Sequence, residues 1–119
     1  MDHAEHIKAI KAGFIKNRKL LIAIGDENRQ NIITVLMGNC HELRVGDITA
    51  QTHLSRPAVS HHMRILLDCG LVSLEKQGTK NYYSLNIGEE FQSLCTLVNY
   101  IAMFKEMCET DTSTAGSVD

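Results

Sequence analysis

The stretch LSRPAVSHHMRILLDCGLV, residues 54–72, carries the strongest structural signal in the chain. Ser55 and Pro57 predict the start of a helix, because serine caps free N–H groups and proline is tolerated in the first turn. Gly70 predicts its end. Between these points apolar side chains recur at three- and four-residue spacing, at Val59, Met63, Leu66 and Leu67. The stretch therefore predicts an amphipathic helix with one buried face.

The opposite face of this predicted helix is polar. Because successive helical residues turn by about 100°, Ser60, His61 and Arg64 lie opposite the apolar stripe, and His62 lies at its edge. Arginine reaches the paired acceptors of guanine, and serine and histidine reach base edges or phosphate oxygens. This pattern favours a helix that reads DNA. The alternative is an ordinary solvated face, and for His62 a hydrogen bond inside the domain.

The flanking segments predict a winged helix-turn-helix. A short helix is expected over about residues 47–52, followed by a turn at His53-Leu54. After the polar helix, residues 71–76 and 81–85 form two strands around the polar turn at 77–80, which predicts a β-hairpin. In this motif the second helix enters the major groove of DNA.

Two more helices are expected before this motif. The first covers residues 3–24, with a kink or break near Gly13 or Asn17-Arg18. The second begins at Asp26, whose carboxylate can cap it, and ends at Gly38-Asn39 in a left-handed conformation.

A long helix is expected after the hairpin, from Gly88 to about Glu109, and it is apolar over more than half its circumference. A lone domain would expose part of that surface, so a two-fold homodimer is predicted. The fold class is mainly α with a small β-hairpin. The domain covers residues 1–109, and residues 110–119 are expected to form a disordered tail.

Composition and charge are those of an ordinary globular domain. The chain has 119 residues, 44% of them hydrophobic, and a net charge of −2. Residues 44–85 hold five cations and three anions, whereas residues 86–119 hold one cation and six anions. Residues 44–85, which are mildly basic, are therefore the expected binding region for a nucleic acid. Without a long apolar run, a secretory signal or paired C-x-x-C cysteines, we expect a cytoplasmic protein with reduced thiols and no membrane contact.

Four motifs in the chain resemble those of the ArsR-type (ArsR/SmtB) family of small bacterial repressors. The matching stretches are AIGDENRQNIITVL, ELRVGDI, LSRPAVSHHMRILLDCGLV and KQGTKNYYSLN, which span about residues 24–85. The resemblance implies a winged helix-turn-helix domain with N- and C-terminal dimerisation helices. It also implies a homodimer, a palindromic double-stranded DNA operator, and an inducer that weakens DNA binding. The chain departs from the family at His53, where glycine is frequent, and at Arg56-Pro57, which replaces a common Gln-Ser pair.

The resemblance and the polar helix face together assign a DNA-binding set. On the helix it comprises Ser55, Arg56, Pro57, Ser60, His61, His62 and Arg64. On the wing it comprises Lys76, Thr79 and Lys80, because cations at a hairpin tip neutralise flanking phosphates. Tyr82 and Tyr83 alternate across the second strand, so one is expected to pack inward and the other to approach DNA.

The sequence specifies the inducer site less well. Many family members bind metal through cysteines in ELCVC, and here that segment reads ELRVG, with Arg44 and Gly46. Other members place ligands on the last helix, at positions that hold Ile87, Glu89, Tyr100 and Met103 in this chain. One carboxylate is a poor donor set for a transition metal. We therefore predict no metal site of these two kinds and no cofactor.

The cysteines are the remaining candidates for a sensor. A thiol switch through oxidation, a persulfide or a soft metal is a hypothesis for Cys40, Cys95 and Cys108. Cys69 is interpreted as a small buried residue. Cys95 and Cys108 lie about 220° apart around one helix, so they cannot chelate a metal together within one chain.

These observations predict a sequence-specific transcriptional regulator, namely a repressor that a signal of unknown identity releases from its operator. The first alternative is a winged-helix module that binds proteins without binding an operator, which the net acidity favours slightly. An enzyme is not expected, because the chain has no Ser–His–Asp order, no phosphate loop and no nucleophile motif. Repression and activation are not distinguished by the residues.

Overall fold

A computed structural model describes residues 2–39 and 42–115, with side chains as far as residue 109. Within these ranges the chain forms helices and one antiparallel two-stranded sheet. The elements are α1 His3–Lys16, α2 Arg18–Ile24, α3 Glu27–Gly38, α4 Val45–Ala50, α5 Arg56–Asp68, β1 Val72–Gln77, β2 Lys80–Leu85, α6 Glu89–Ala102 and α7 Phe104–Ala115. The mainly α fold with a β-hairpin that the sequence predicts is confirmed.

The apolar face of α5 lies at the centre of the core. Val59, Met63 and Leu66 are completely buried there, together with Ile32 of α3 and Ile48 of α4. Removing such side chains from water stabilises the fold by about 1.5–3 kcal/mol each. This burial fixes the rotation of α5 about its own axis, so that its opposite face points outward. The buried face predicted from the residue spacing is confirmed.

The predicted capping groups fix the ends of several helices. The side chains of Asp26 and Ser55 each accept a hydrogen bond from the backbone N–H three residues later, at 3.0 and 3.3 Å. Gly70 ends α5 with a φ of +84°, and its own N–H and that of the next residue bond to the carbonyls of Leu67 and Leu66. This is the Schellman arrangement that glycine favours.

The end of α3 differs from the prediction. Gly38 is the last helical residue, and Asn39 is extended at φ −118° and ψ 97°. The Asn39 side-chain amide donates to the Val35 carbonyl at 2.7 Å and to the Gln51 side-chain oxygen at 3.2 Å. The left-handed stop predicted at Gly38-Asn39 is wrong, because a side chain rather than a backbone turn satisfies the end of the helix.

The hairpin forms where the sequence predicts it, with a shorter loop. Gln77 pairs with Lys80, so only Gly78-Thr79 lies between the strands. Gly78 has a φ of +67°, which glycine adopts without strain. On the other side of β2, Leu43 exchanges two backbone hydrogen bonds with Tyr83, at 2.9 and 2.7 Å. This bridge ties the wing to the segment that leads into α4.

Helices α1 and α6 pack against each other in opposite directions. The buried His6 ring donates from Nε2 to the Tyr100 carbonyl at 2.6 Å. Asn17 separates α1 from α2, and its amide donates to the Gly13 carbonyl at 2.8 Å and to the Ser93 carbonyl at 3.4 Å. The break predicted near Asn17-Arg18 is confirmed, and the asparagine at the break also joins the two helices.

The C-terminal part of the chain differs from the single helix predicted from Gly88 to Glu109. The structure has two helices, α6 and α7, with Met103 between them. Helix α7 continues to Ala115, past the boundary predicted for the tail, and residues 116–119 lie outside the described residues. None of the helices in the described ranges is long and apolar enough to cross a membrane.

Candidate nucleic-acid interface

The polar face of α5 forms the centre of the candidate interface. Its side chains are solvent-exposed at Ser55, Arg56, Pro57, Ser60, His61 and Arg64. Because the Ser55 oxygen accepts the Ala58 N–H, the Ser55 hydroxyl proton points to a partner outside the helix or to water. Hydroxyl and imidazole donors therefore share one outward face with two guanidinium groups. The core on the other side of α5 holds that face in place.

Arg56 also extends over the preceding helix. A Cβ atom built on Gly46 would lie 3.9 Å from the Arg56 Nη1 atom. Gly46 is in the first turn of α4, so the guanidinium spans the surfaces of both helices of the helix-turn-helix. A larger side chain at Gly46 would compete with Arg56 for this space. The Arg56 cation therefore lies on the outer surface shared by α4 and α5.

The turn between α4 and α5 is made without glycine. His53 is exposed in this turn, and within the described ranges only Gly70 and Gly78 have a positive φ. The Thr52 hydroxyl accepts the Leu54 N–H at 3.4 Å, which closes the turn from a side chain. The departure from the family at His53 therefore carries no backbone strain.

The wing carries the second group of predicted residues. Lys76, Thr79 and Lys80 are exposed at the end of the hairpin that lies farthest from the core. The alternation predicted for the two tyrosines is present in β2, where Tyr83 is buried and Tyr82 is half-buried. The cations therefore lie at the free end of a hairpin whose base is anchored in the core by Tyr83.

His62 differs from its neighbours on α5 because it is held inside the domain. Its Nδ1 atom lies 3.2 Å from Nη1 of Arg29, a buried residue of α3. The pKa of His62 is lowered, chiefly by burial and also by the charges of Arg29 and His61, while the Asp26 carboxylate acts in the opposite direction. The internal hydrogen bond left open in the sequence is present, and the ring is half-buried.

Arg29 is the residue of this site that sequence reasoning missed. It lies three and seven residues before Ile32 and Leu36, on the face of α3 that packs into the core. An arginine in the apolar stripe of a helix needs buried acceptors for its five N–H groups. That position in the stripe was the available signal, but the sequence does not identify the acceptors.

The predicted sensor residues are only partly described. Cys69 is buried, and its thiol donates to the Leu66 carbonyl at 3.3 Å, as expected of a small core residue. Cys95 and Cys108 are half-buried on α6 and α7, and Cys40 lies outside the described residues. In the part of the chain that the structure describes, no three His, Cys, Asp or Glu side chains are grouped so that they could hold a metal ion.

Similar proteins share both the motif and the fold. The sequence model described as "Bacterial regulatory protein, arsR family" matches residues 26–73. The transcriptional repressor SdpR of Bacillus subtilis is 34% identical over 79 residues, which cover 66% of this chain and 86% of that protein. The residues that the family model matches include the whole of α3, α4 and α5.

Two solved structures extend the likeness beyond the motif. An ArsR-like transcriptional regulator from Rhodococcus sp. RHA1 superposes with a TM-score of 0.75 at 24% identity, over 89% of this chain and 95% of that one. Reduced HlyU from Vibrio cholerae gives a TM-score of 0.59 at 26% identity, over 82% of this chain and 95% of that one. The shared fold thus reaches past the helix-turn-helix. The chain belongs to the arsR family of bacterial regulatory proteins, and it is a DNA-binding transcriptional regulator rather than an enzyme.

Proposed function

We propose that this protein is a cytoplasmic, homodimeric repressor that binds a palindromic operator and leaves it when a signal arrives. The observation that carries the proposal is the exposed set Ser60, His61 and Arg64 on a helix whose other face is completely buried. A B-DNA major groove is about 12 Å wide and accepts one such helix. The relative SdpR is named a transcriptional repressor, which supports repression, although the relative HlyU of Vibrio cholerae is named a transcriptional activator.

The wing supplies the sequence-independent part of this binding. Lys76 and Lys80 are exposed at the tip of the hairpin, where they can neutralise phosphates beside the groove that α5 enters. Thr79 between them offers a hydroxyl donor to the same oxygens. Base contacts from α5 would then select the sequence, while the wing would add affinity that depends on salt.

Exposed apolar side chains on α1 and α6 support the homodimer. Ile7 and Phe14 lie on α1, and Val98 and Ile101 lie on α6. Between 38% and 54% of each of these side chains is exposed. The molecule is also elongated, with extents of 64 × 27 × 22 Å. A second copy would cover this surface by two-fold symmetry. Two recognition helices would then meet half-sites about one turn of DNA, roughly 34 Å, apart.

The releasing signal is proposed to act at the thiols. Cys95 and Cys108 lie on α6 and α7, which belong to the same part of the molecule as the proposed dimer surface. A change at these sulfur atoms would alter the packing that sets the spacing of the two recognition helices. Oxidation of the sulfur and transfer of a sulfane sulfur to it, which forms a persulfide, both start from the thiolate, so both fit these residues. A soft metal would need further ligands from the second copy.

Selection from a random DNA pool with reduced, metal-free protein tests the proposal. Enrichment of an inverted repeat with half-sites about one turn apart is the expected result. Arg64→Ala protein is the control, since it should enrich the same repeat with a relaxed preference at one base pair of each half-site. If wild-type protein enriches no sequence at low salt, operator binding is wrong, and the winged helix is then to be tested as a surface for a protein partner.

A further inference from the structure

We infer that Arg29 is a positioning residue for DNA binding. Its guanidinium holds His62 in the tautomer that carries the proton on Nε2, and its hydrogen bonds fix the orientation of α5. The inference rests on the proposed binding of the operator by α5. Arg29 itself is 8% exposed and is not proposed to contact DNA. It acts through the residue that it orients.

The Arg29 guanidinium joins α3 to two other helices, through the backbone of α2 and the His62 side chain of α5. Its Nε donates to the Ala23 carbonyl at 2.7 Å and its Nη2 to the Ile22 carbonyl at 3.2 Å, while Nη1 lies 3.2 Å from His62 Nδ1. The two carbonyls belong to the last turn of α2, where carbonyls need partners from outside the helix; the Ile22 carbonyl also accepts the Gly25 N–H at 3.3 Å. A planar fork with fixed donor directions therefore sets α5 against the end of α2.

This geometry determines the protonation of His62. A guanidinium has N–H donors and no acceptor, so the Nδ1 atom that faces it must present a lone pair. The neutral ring then carries its proton on Nε2. The charged or titratable groups that act on His62 are Arg29 of α3, Asp26, which caps α3, and the neighbouring His61. Protonation of Nδ1 would place a second cation against the guanidinium and would remove the hydrogen bond.

A donor-only Nε2 limits what His62 can recognise. It can give a hydrogen bond to a phosphate oxygen or to a base acceptor such as guanine O6 or N7, but it cannot accept one from an amino group. His61, one residue earlier, is solvent-exposed, and its ring centroid lies 5.6 Å from that of His62 with the two ring planes tilted by 57°. On this surface His62 is half-buried with its tautomer set by Arg29, and His61 beside it is solvent-exposed.

The same contact links α5 to the helices of the proposed dimer surface. Helix α2 continues from α1 through Asn17, and α1 is packed on α6 through the hydrogen bonds of His6 and Asn17. A displacement of α1 and α2 would therefore reach α5 through Arg29. Loss of the guanidinium should loosen this link while leaving the DNA-facing side chains unchanged.

The chain offers a matched control for the test. Gln30, the next residue, donates from its exposed side chain to the Ile24 carbonyl at 2.9 Å. Gln30→Ala thus removes one hydrogen bond to the same end of α2 without removing a partner of His62. The test compares full-length wild type, Arg29→Met, Gln30→Ala and His62→Gln, each checked for the wild-type circular dichroism spectrum.

Two measurements decide the inference. Long-range ¹⁵N–¹H NMR spectra of the free protein give the His62 tautomer, with the signals assigned by their loss in His62→Gln. We expect the Nε2–H tautomer in wild type and a mixture in Arg29→Met. With the operator selected as described above, we expect Arg29→Met to lose about tenfold or more in affinity, and Gln30→Ala to stay within about twofold of wild type.

A wild-type Nδ1–H tautomer, or an Arg29→Met loss no larger than that of Gln30→Ala, would overturn the inference. If Arg29→Met does not fold, the pH profile of operator affinity for wild type against His62→Gln decides instead. Wild type should lose more affinity than His62→Gln between about pH 7.5 and 5.5, and equal slopes would overturn it. If the wild-type protein selects no DNA, the proposed operator binding is wrong. The His62 tautomer is measured in the free protein, so it still shows whether Arg29 holds His62 as inferred.

Discussion

Gly13 of α1 and Leu97 of α6 lie so close that a Cβ atom on Gly13 would approach the Leu97 Cδ1 atom to 2.8 Å. Leu97 is 2% exposed, so its methyl group has little space into which it can move. The absence of a side chain at residue 13 therefore sets the distance between the two helices. The helix pair that would build the dimer depends on this contact.

Gly13→Ala should destabilise the fold even though alanine favours a helix. The gain in helix propensity is about 1 kcal/mol, whereas overpacking a filled interface costs about 1–3 kcal/mol. Gly38→Ala is the matched control, because nothing lies within 4 Å of a Cβ atom at that helical position. Urea unfolding should place Gly13→Ala about 1–3 kcal/mol below Gly38→Ala in the free energy of unfolding. Equal stabilities would mean that α1 and α6 can separate freely.

Arg64→Ala should weaken operator binding by about 1–3 kcal/mol and relax the preference at one base pair, if Arg64 reads a base. Lys80→Ala is the informative comparison, because a wing lysine that contacts a phosphate adds affinity without sequence preference. It should reduce the slope of log affinity against log salt by about 0.9 and leave the selected sequence unchanged. Titrations at several salt concentrations separate the two effects. An Arg64→Ala protein of unchanged affinity removes Arg64 from the interface.

Helix α5 could be predicted from the sequence because its signals are local. Val59, Met63 and Leu66 recur at the helical period, and Ser55 and Gly70 mark its ends, so both its extent and its buried face follow from neighbours in the chain. The link from Arg29 to His62 is different, because it joins residues 33 positions apart in the sequence. Periodicity says that Arg29 faces inward, but only the packing of α2, α3 and α5 supplies its acceptors.

The break between α6 and α7 is a second feature that could not be predicted from the sequence. The apolar residues run through Met103 without a proline or glycine, so a single helix was the natural prediction. Met103 keeps helical angles, at φ −74° and ψ −11°, and the interruption is a small local departure. No residue in this segment predicts the break, because the break depends on how the two segments pack.

Val98→Glu should convert the proposed dimer into a monomer. Val98 is 54% exposed on α6, and a carboxylate there would be buried without a partner if a second copy covered it. Thr96→Glu is the control, because Thr96 is exposed about 160° away on the same helix. Size-exclusion chromatography with light scattering should give the monomer mass for Val98→Glu and the dimer mass for Thr96→Glu. A dimer in both would place the interface elsewhere.

Acidification should destabilise the protein through His62. Burial, the largest cause, lowers its folded pKa below the value of 6.5 expected for the unfolded chain. The unfolded state therefore binds the proton more readily, so the stability that His62 contributes is complete above pH 6.5 and is lost as the pH falls through the folded pKa. The free energy of unfolding should fall more steeply with decreasing pH in wild type than in His62→Gln. Parallel profiles would show that the ring is solvated in the folded state.

The thiols should differ in reactivity according to their burial. Cys69 is 8% exposed and bonded to the Leu66 carbonyl, so its alkylation should wait for unfolding, whereas Cys95 and Cys108 are accessible in part. Mass spectrometry after brief treatment with iodoacetamide at neutral pH should find Cys95 or Cys108 modified before Cys69. Because a thiol sensor must present a reactive thiolate, slow reaction at every cysteine would rule out this kind of signal. Fast reaction at Cys108, with operator binding that becomes resistant to a mild oxidant in Cys108→Ser, would locate the sensor on α7.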